Sequence, residues 1–403
     1  MDPSRAMNEK TPTPPVSSGE RAYALRFIVC LGIVSLFADM TYEGARSIVG
    51  PFLKDLGANA AQVGFIAGFG EMVAASLRYF SGRLVDRTRA YWTFTIVGYV
   101  LNLIVVPAMA FAGTWQMAAL LVIIERTGKS FRGPARDVLL SEATGKVGHG
   151  WGFGLHSAMD QAGAVLGPVL MAWAVARSQH FGPAFVRLAI PAAAALTALL
   201  IARLIYPEAG ADAPPPTQQR TLPRVFWMYV AAAGLLAFGF VDFPLLAFHF
   251  QKNGLVQPAM IPLLYAGAMG INGLTALIFG RLFDRYGITI LVAGTCVSLL
   301  ALPLGFLGGT PGAIASVALW GCGLGAQDAC LRSGIAQVVS MNKRGTAFGA
   351  FNGVYGVAWF LGSTVMGLLY GVSLPALALF GVAAQGAAAL VFFRLRRGLA
   401  EAG

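Results

Sequence analysis

Gly82-Arg83-Leu84-Val85-Asp86-Arg87 recurs as Gly280-Arg281-Leu282-Phe283-Asp284-Arg285, 198 residues further on (position 82 against 280). Each copy closes one apolar run and precedes the next. A charged hairpin at the same place in both halves points to duplication of a whole bundle of helices. A second repeat agrees. Gly152-Phe153-Gly154 opens one later run, and Ala347-Phe348-Gly349 opens its counterpart 195 residues on (152 against 347). Gly167 and Gly362 lie at matching depth in those two runs, at that same offset.

The composition is that of a membrane protein. Of 403 residues, 57% are hydrophobic and 12% charged, against about 25% charged in soluble domains. Apolar stretches of roughly 20 residues recur along the chain, long enough to cross the hydrocarbon core. The 50 glycines suit helices that pack closely in lipid. The formal charge of +11 does not mark a nucleic-acid binder, because the basic residues sit in short loops between apolar runs. Cys30, Cys296, Cys322 and Cys330 fall inside spans and read as small apolar packers, not disulfides. The first apolar run lacks the short core and cleavage site of a secretory signal.

The pattern predicts an all-α polytopic membrane protein of twelve transmembrane helices in two pseudo-symmetric six-helix bundles. The spans read as 25–52, 60–81, 91–112, 114–136, 150–176 and 182–205, then 225–250, 259–280, 288–308, 312–338, 345–371 and 374–394. Residues 1–24 read as a disordered tail, 25–205 and 224–395 as the two bundles, the Pro-rich polar stretch 206–223 as their linker, and 396–403 as a tail. Arg83, Arg87, Arg89, Lys146, Arg220, Arg224, Arg281, Arg285, Lys343, Arg344, Arg394, Arg396 and Arg397 fall on one side. Little beyond Lys54, Arg177 and Lys252 falls on the other. The positive-inside rule makes the first side cytoplasmic, with both termini there, in a cell inner membrane.

These features resemble the major facilitator superfamily over residues 25–395. The family pattern between spans two and three runs roughly Gly-x-Leu-Ala-Asp-Arg-x-Gly-Arg. The first copy has Arg89 where the late Gly is expected; the second keeps Gly287 but has Ile288 in place of the following Arg. Gly163-Ala164-Val165-Leu166-Gly167-Pro168 resembles the family's antiporter signature, although Met171 and Ala172 replace its distal glycines. Arg126 stands where many exporters of the family place an arginine. The resemblance implies a secondary transporter working by alternating access. It also implies that Gly82, Asp86, Arg87, Gly280, Asp284 and Arg285 form a cytoplasmic gate latch. A carboxylate at such a helix end can meet the free N–H groups and positive dipole of a neighbouring helix N-terminus. A topology anchor is the simpler role, and the two are compatible.

Ionisable groups inside the spans are costly and need a cavity or partners. Asp39, Glu43 and Arg46, at i, i+4 and i+7, share one face of span one, which must look into the bundle. A Glu43–Arg46 pair would leave Asp39 without a partner on its own helix. Glu71, Glu125 and Asp160 each lie about eleven residues into their spans, roughly 16 Å deep, which points to a shared cavity. Arg126 follows Glu125 directly and is expected to pair with another helix, with Asp160 a candidate. His156 and Asp160, at i, i+4, can touch as a proton-relay element or as a packing pair. Lys129, Arg132 and Arg136 form a basic stripe that either holds headgroups and gate carboxylates or attracts an anionic substrate. Asp242 and His249 share span seven. Asp328 and Arg332 are expected to pair. Trp320, Tyr355 and Trp359 can line a cavity or pack.

The function expected is a proton-coupled exporter, an antiporter of a small organic solute or drug, monomeric in the bilayer and without cofactor or resident metal. Divalent metal-ion efflux and proton-coupled import remain alternatives. A membrane enzyme is disfavoured. His156 and Ser157 are sequence neighbours about 100° apart on a helix, and no hydrolase or P-loop motif is present. A transporter-like receptor would need a soluble signalling domain.

Overall fold

The computed structural model describes residues 17–207, 222–339 and 344–400. Most of the expected linker and of the N-terminal tail lies outside the described residues, whereas the expected C-terminal tail from 396 is helical as far as Ala400. Among those described, every regular element is helical. The first half holds α1 (Ser18–Asp55), α2 (Ala60–Thr88), α3 (Tyr91–Ala108), α4 (Trp115–Val147), α5 (His149–Ser178), the short α6 (Phe181–Ala184) and α7 (Ala189–Ile205). The second half holds α8 (Arg224–Gly239), α9 (Phe243–Lys252), α10 (Met260–Tyr286), α11 (Ile288–Ser298), α12 (Ala301–Leu307), α13 (Gly309–Val338), α14 (Arg344–Val372) and α15 (Leu374–Ala400).

α1 begins at Ser18, earlier than the span expected from residue 25. Ser17 accepts from the Glu20 backbone N–H and the Glu20 side chain returns to Ser17, a capping box that fixes the start. Among the described residues, eleven helical segments are long and apolar enough to cross a bilayer. α4 is the twelfth. Its 33 residues are long enough, but Glu125, Arg126, Lys129, Arg132, Arg136 and Asp137 depress its hydropathy. It is sheltered by packing against α1, α2, α3 and α5.

The duplication seen in the sequence is repeated in the packing. A Cβ on Gly167 of α5 would lie 2.8 Å from the Cα of Met40 in α1. A Cβ on Gly362 of α14 would lie 2.7 Å from the Cα of Phe238 in α8. Both pairs are backbone-to-backbone crossings that only glycine permits. Gly82 of α2 faces Pro134 of α4, and Gly280 of α10 faces Ala329 of α13.

Span seven is not the single helix expected over 225–250. It breaks at Phe240–Asp242 between α8 and α9. Pro244 lacks an N–H and its ring would collide with the carbonyl of residue 240, so a helix cannot run through. The freed carbonyls are taken up by side chains. Gln385 Nε2 donates to the Gly239 carbonyl at 2.8 Å, and Trp320 Nε1 donates to the Val241 carbonyl at 2.9 Å. Backbone exposed at membrane depth is tolerated only when satisfied in this way.

The halves meet closely at the end remote from the repeated hairpins. α1 packs on α9, where a Cβ on Gly50 would lie 2.9 Å from Pro244 Cα. Gln251 Nε2 donates to Asp55 Oδ1 at 2.8 Å. α2 and α14 touch along their length, from Gly64 beside Gly367 to Tyr79 beside Gly349. α5 and α10 touch where Gln161 reaches the Met269 carbonyl and packs on Gly273. Toward the hairpin end they part. Ser157 and Gly154 continue the Gln161 face and Leu277 continues the Gly273 face, and all three are exposed.

Candidate functional site

The charged residues of α1, α2 and α4 converge with the break in span seven. Arg46 Nη2 lies 3.2 Å from Glu71 Oε1 and 3.0 Å from Asp242 Oδ1. Arg126 Nη2 lies 3.3 Å from the same Glu71 oxygen, and Arg126 Nε lies 3.3 Å from Glu125 Oε2. Lys129 Nζ is 3.8 Å from Glu43 Oε1, and the Tyr265 hydroxyl donates to Glu43 Oε2 at 2.5 Å. Trp359 Nε1 donates to Asp242 Oδ2 at 3.3 Å. Asn102 Nδ2 donates to Glu125 Oε1 at 2.6 Å. Asp242 and Tyr265 belong to the second half, so this layer ties the two halves together through Arg46 and Glu43.

Two cavities flank the layer. One, of about 20 Å³, is bounded by Val49, Leu53, Ile66, Val122, Arg126 and Asp242. The other, also about 20 Å³, shares Val49, Val122 and Arg126 and adds Arg46, Glu125 and Met109. Their walls combine aliphatic side chains with a few convergent charges, and each has room for about one water.

A second cluster lies nearer the hairpin end. His156 Nδ1 is 3.1 Å from Asp160 Oδ1, so the expected i, i+4 pair forms. Arg136 donates to Ser35 Oγ at 3.1 Å and pairs with Asp137 at 2.9 Å. Asp39 is 7% exposed and, among the described residues, has no cation within ion-pair distance. The charges acting on it across the protein are Asp160, Arg132 and Lys129.

Several expectations are corrected. Arg46 does not pair with Glu43 on its own helix; it reaches Glu71 and Asp242. Arg126 does reach another helix through Glu71, but its other partner is its neighbour Glu125, not Asp160. The long guanidinium side chain folds back far enough to meet the adjacent carboxylate. Glu71 and Glu125 share a layer, whereas Asp160 belongs to the second cluster with His156. Asp328 accepts from Asn272 Nδ2 at 3.0 Å, while Arg332 is exposed. The basic stripe turns inward: Lys129 lies 3.9 Å from the Tyr42 ring centre, and Arg132, 2% exposed, lies 4.4 Å from that of Tyr99. His249 meets the Tyr370 hydroxyl at 2.9 Å and Asn253 Nδ2 at 3.0 Å. Trp320 is fully packed; Trp359 touches the site through Asp242.

The repeated hairpins are exposed at Asp86, Arg87, Asp284 and Arg285. Among the described residues neither Asp86 nor Asp284 has an ion-pair partner within 4 Å. Arg89 takes φ 52° at the end of α2, the left-handed conformation for which glycine is suited. Gly287 has φ 59° and ψ −144°, a region essentially reserved for glycine. The two turns therefore differ in shape as well as in sequence.

Tyr265, Asn102 and Ser35 were missed. Each is a polar side chain inside an apolar run, which is the signal that finds them. Among the described residues no three His, Cys, Asp or Glu side chains are gathered as a metal cage.

Residues 31–363 match the family profile described as the Major Facilitator Superfamily. The chain belongs to the major facilitator superfamily. It is therefore a multi-pass membrane transporter, a secondary transporter and not an enzyme. It is 39% identical over 382 residues to an uncharacterized protein of Mycobacterium tuberculosis, covering 93% of each chain. It is 24% identical to an uncharacterized MFS-type transporter of Methanocaldococcus jannaschii, covering 88% of this chain and 91% of that one. The fold is similar to that of the nucleoside transporter NupG, with a TM-score of 0.72 at 15% identity over 92% of this chain and 98% of that one.

Proposed function

We propose that this MFS transporter exports a small organic solute in exchange for protons. The observation that carries the reading is the charged layer at the break in span seven. There, Arg46–Asp242 and Glu43–Tyr265 join the halves through groups that sit inside the membrane. Contacts of that kind exist only while the halves are closed at that end. A change in the charge of the layer therefore biases one arrangement of the halves against the other. Protons supply such a change. Asp39, without a cation in ion-pair contact among the described residues, and the His156–Asp160 pair are the groups assigned to carry them, with Glu43, Glu71 and Glu125 as acceptors in the next layer.

The hairpin side is assigned to the cytoplasm of a bacterial inner membrane. The structure is then an inward-facing state, closed at the periplasmic end and open between α5 and α10. The exporter assignment rests on the Gly163-to-Pro168 stretch. Gly163 packs α5 against Leu36 and Asp39 of α1, and Gly167 against Met40. The motif thus fixes the helix crossing beside the proposed proton site. The two bundles, 25–205 and 224–395, are proposed to move as bodies joined by the 206–223 segment, and a single copy suffices.

The test is proton movement in proteoliposomes. Efflux of a transported solute should follow an imposed pH gradient and collapse with an uncoupler. Asp39→Asn and Asp160→Asn should each uncouple flux from the gradient. Full transport without a gradient, in the parent and both variants, would remove the proton from the mechanism.

A further inference from the structure

Asp328 takes no part in the Arg46 layer, yet it stands beside it. It lies ten residues from Val338, where α13 ends (328 against 338), which is about 15 Å into the span. At that depth it is exposed. The charges acting on it are Arg332 of its own helix and Glu43 and Arg46 of α1, so it faces the first half and not the lipid. Asn272 of α10 donates to its Oδ2 at 3.0 Å. The residue after Asn272, Gly273, packs on Gln161 of α5, and beyond that contact α5 and α10 part toward the hairpins. Asp328 therefore stands at the inner end of the opening, where solvent reaches it.

The other carboxylates within the spans are taken or buried. Glu43 has Lys129, Glu71 has both Arg46 and Arg126, Glu125 has Arg126, Asp160 has His156 and Asp242 has Arg46. Asp39 is 7% exposed. Asp328 differs from all of these. Among the described residues it has no cation within 4 Å, although Arg332 is one turn away. Its Oδ2 is steadied by the Asn272 amide, while its Oδ1 is open to solvent. A solvent-reached carboxylate inside the membrane without a fixed counter-ion marks a ligand or ion path.

An aromatic wall adjoins it. The charges acting on Tyr355 of α14 are Asp328 and Glu71, which puts the phenol beside the same carboxylate. The Tyr355 ring lies between Phe351, at 5.3 Å, and Trp359, at 5.8 Å, and its hydroxyl donates to Gln327 Oε1 at 2.6 Å. It is thus held in place and partly exposed. The face of such a ring attracts cations. Leu324, one turn along α13 on the Asp328 face, is apolar and partly exposed. An anion here would meet Asp328 and Glu43, while Arg46 is already engaged by Glu71 and Asp242.

We propose that Asp328 and Tyr355 bind the protonated amino group of a small organic amine, whose carbon body rests against Leu324. This names the substrate class for the transport reading above and rests on it only for the direction and energy of movement. Closure at the hairpin end would strip water from Asp328, and a carboxylate buried without a partner is costly. The bound amine removes that cost, so it favours occlusion.

The experiment is direct binding to purified chain in detergent at neutral pH, with no gradient present. The probe is benzylamine, with benzoate and benzyl alcohol as comparators carrying the same ring, read by thermal shift and by calorimetry. Benzylamine should bind the parent chain at millimolar concentration, and neither comparator should match it. Asp328→Asn, which keeps the shape but not the charge, should weaken binding by about tenfold or more. Asp328→Glu should retain it, and Tyr355→Leu should weaken it by roughly threefold to tenfold. A measurement on the unaltered chain guards against misfolded variants: labelling of Asp328 by dicyclohexylcarbodiimide, read by mass spectrometry, should be suppressed by benzyltrimethylammonium. Four results would overturn the proposal: no benzylamine binding to the parent chain, equal binding by Asp328→Asn, equal binding of benzoate or benzyl alcohol, or undiminished labelling of Asp328. Amine binding without proton-linked flux would leave the site standing and reject the coupling. Proton-linked flux without amine binding would do the reverse.

Discussion

Asp242→Asn separates a gate contact from a merely structural ion pair. Asp242 accepts from Arg46 at 3.0 Å and from Trp359 at 3.3 Å. Asparagine keeps the shape and an oxygen for Trp359 but loses the charge, while Arg46 retains Glu71 at 3.2 Å. A charge-assisted hydrogen bond contributes about 1.5–3 kcal/mol net. This one joins the two halves, so its energy belongs to the arrangement closed at that end. Once the halves separate there, Asp242 and Arg46 regain water. The substitution should therefore shift the closed-to-open ratio by roughly tenfold to 150-fold. The assay is pulsed electron resonance between spin labels at Lys54→Cys and Lys252→Cys, in a chain whose four native cysteines are replaced by serine. These positions flank the Asp55–Gln251 contact. The long-distance population should rise in Asp242→Asn and rise no further in the Arg46→Gln, Asp242→Asn double variant. An unchanged distance distribution, or effects of the two substitutions that simply add, would refute the argument.

Three further outcomes follow from particular geometries. Arg89→Gly should raise stability by about 1 kcal/mol, because the left-handed turn is then unstrained, whereas Gly287→Ala should lower it by about 1–3 kcal/mol; both are read by denaturation in detergent. Gly167→Val and Gly362→Val should damage folding to a similar degree, since each forces apart a backbone crossing of about the same closeness, and yield of monodisperse protein measures this; damage confined to one half would count against structural equivalence. Tyr265→Phe should leave the yield intact and weaken closure less than Asp242→Asn does, because it removes a hydrogen bond but no charge, as the same spin-label pair would report.

Much of the architecture was legible because it is periodic and local. Apolar runs of membrane length, the repeated hairpin and the matched glycines each follow from residues close in sequence or related by one offset. The His156–Asp160 contact was legible for the same reason: i, i+4 spacing on a helix guarantees proximity. The partners of Arg46 were not. Asp242 lies 196 residues away, and helical spacing offered Glu43 as a nearer but wrong candidate. Arg126 defeated the rule that neighbours on a helix point apart, because the length of its side chain outweighs the direction of its Cβ. The break in span seven had a signal in Asp242-Phe243-Pro244, a capping-type residue two before a proline, but continuous hydrophobicity concealed it. The charge of α4 hid nothing: a helix that would be costly alone is acceptable when four others shield it.

The break between α8 and α9 has a mechanical consequence. A discontinuous helix invites description as a joint, yet the carbonyls it frees are bolted to Gln385 of α15 and Trp320 of α13, both in the same half. Its bend angle is thus set by its own bundle and travels with it. Asp242 is a fixed pin on a rigid body, and compliance must come from the other side of the contact. Arg46 supplies it: a long, multiply rotatable arm on an unbroken rod, able to release the pin while keeping its grip on Glu71.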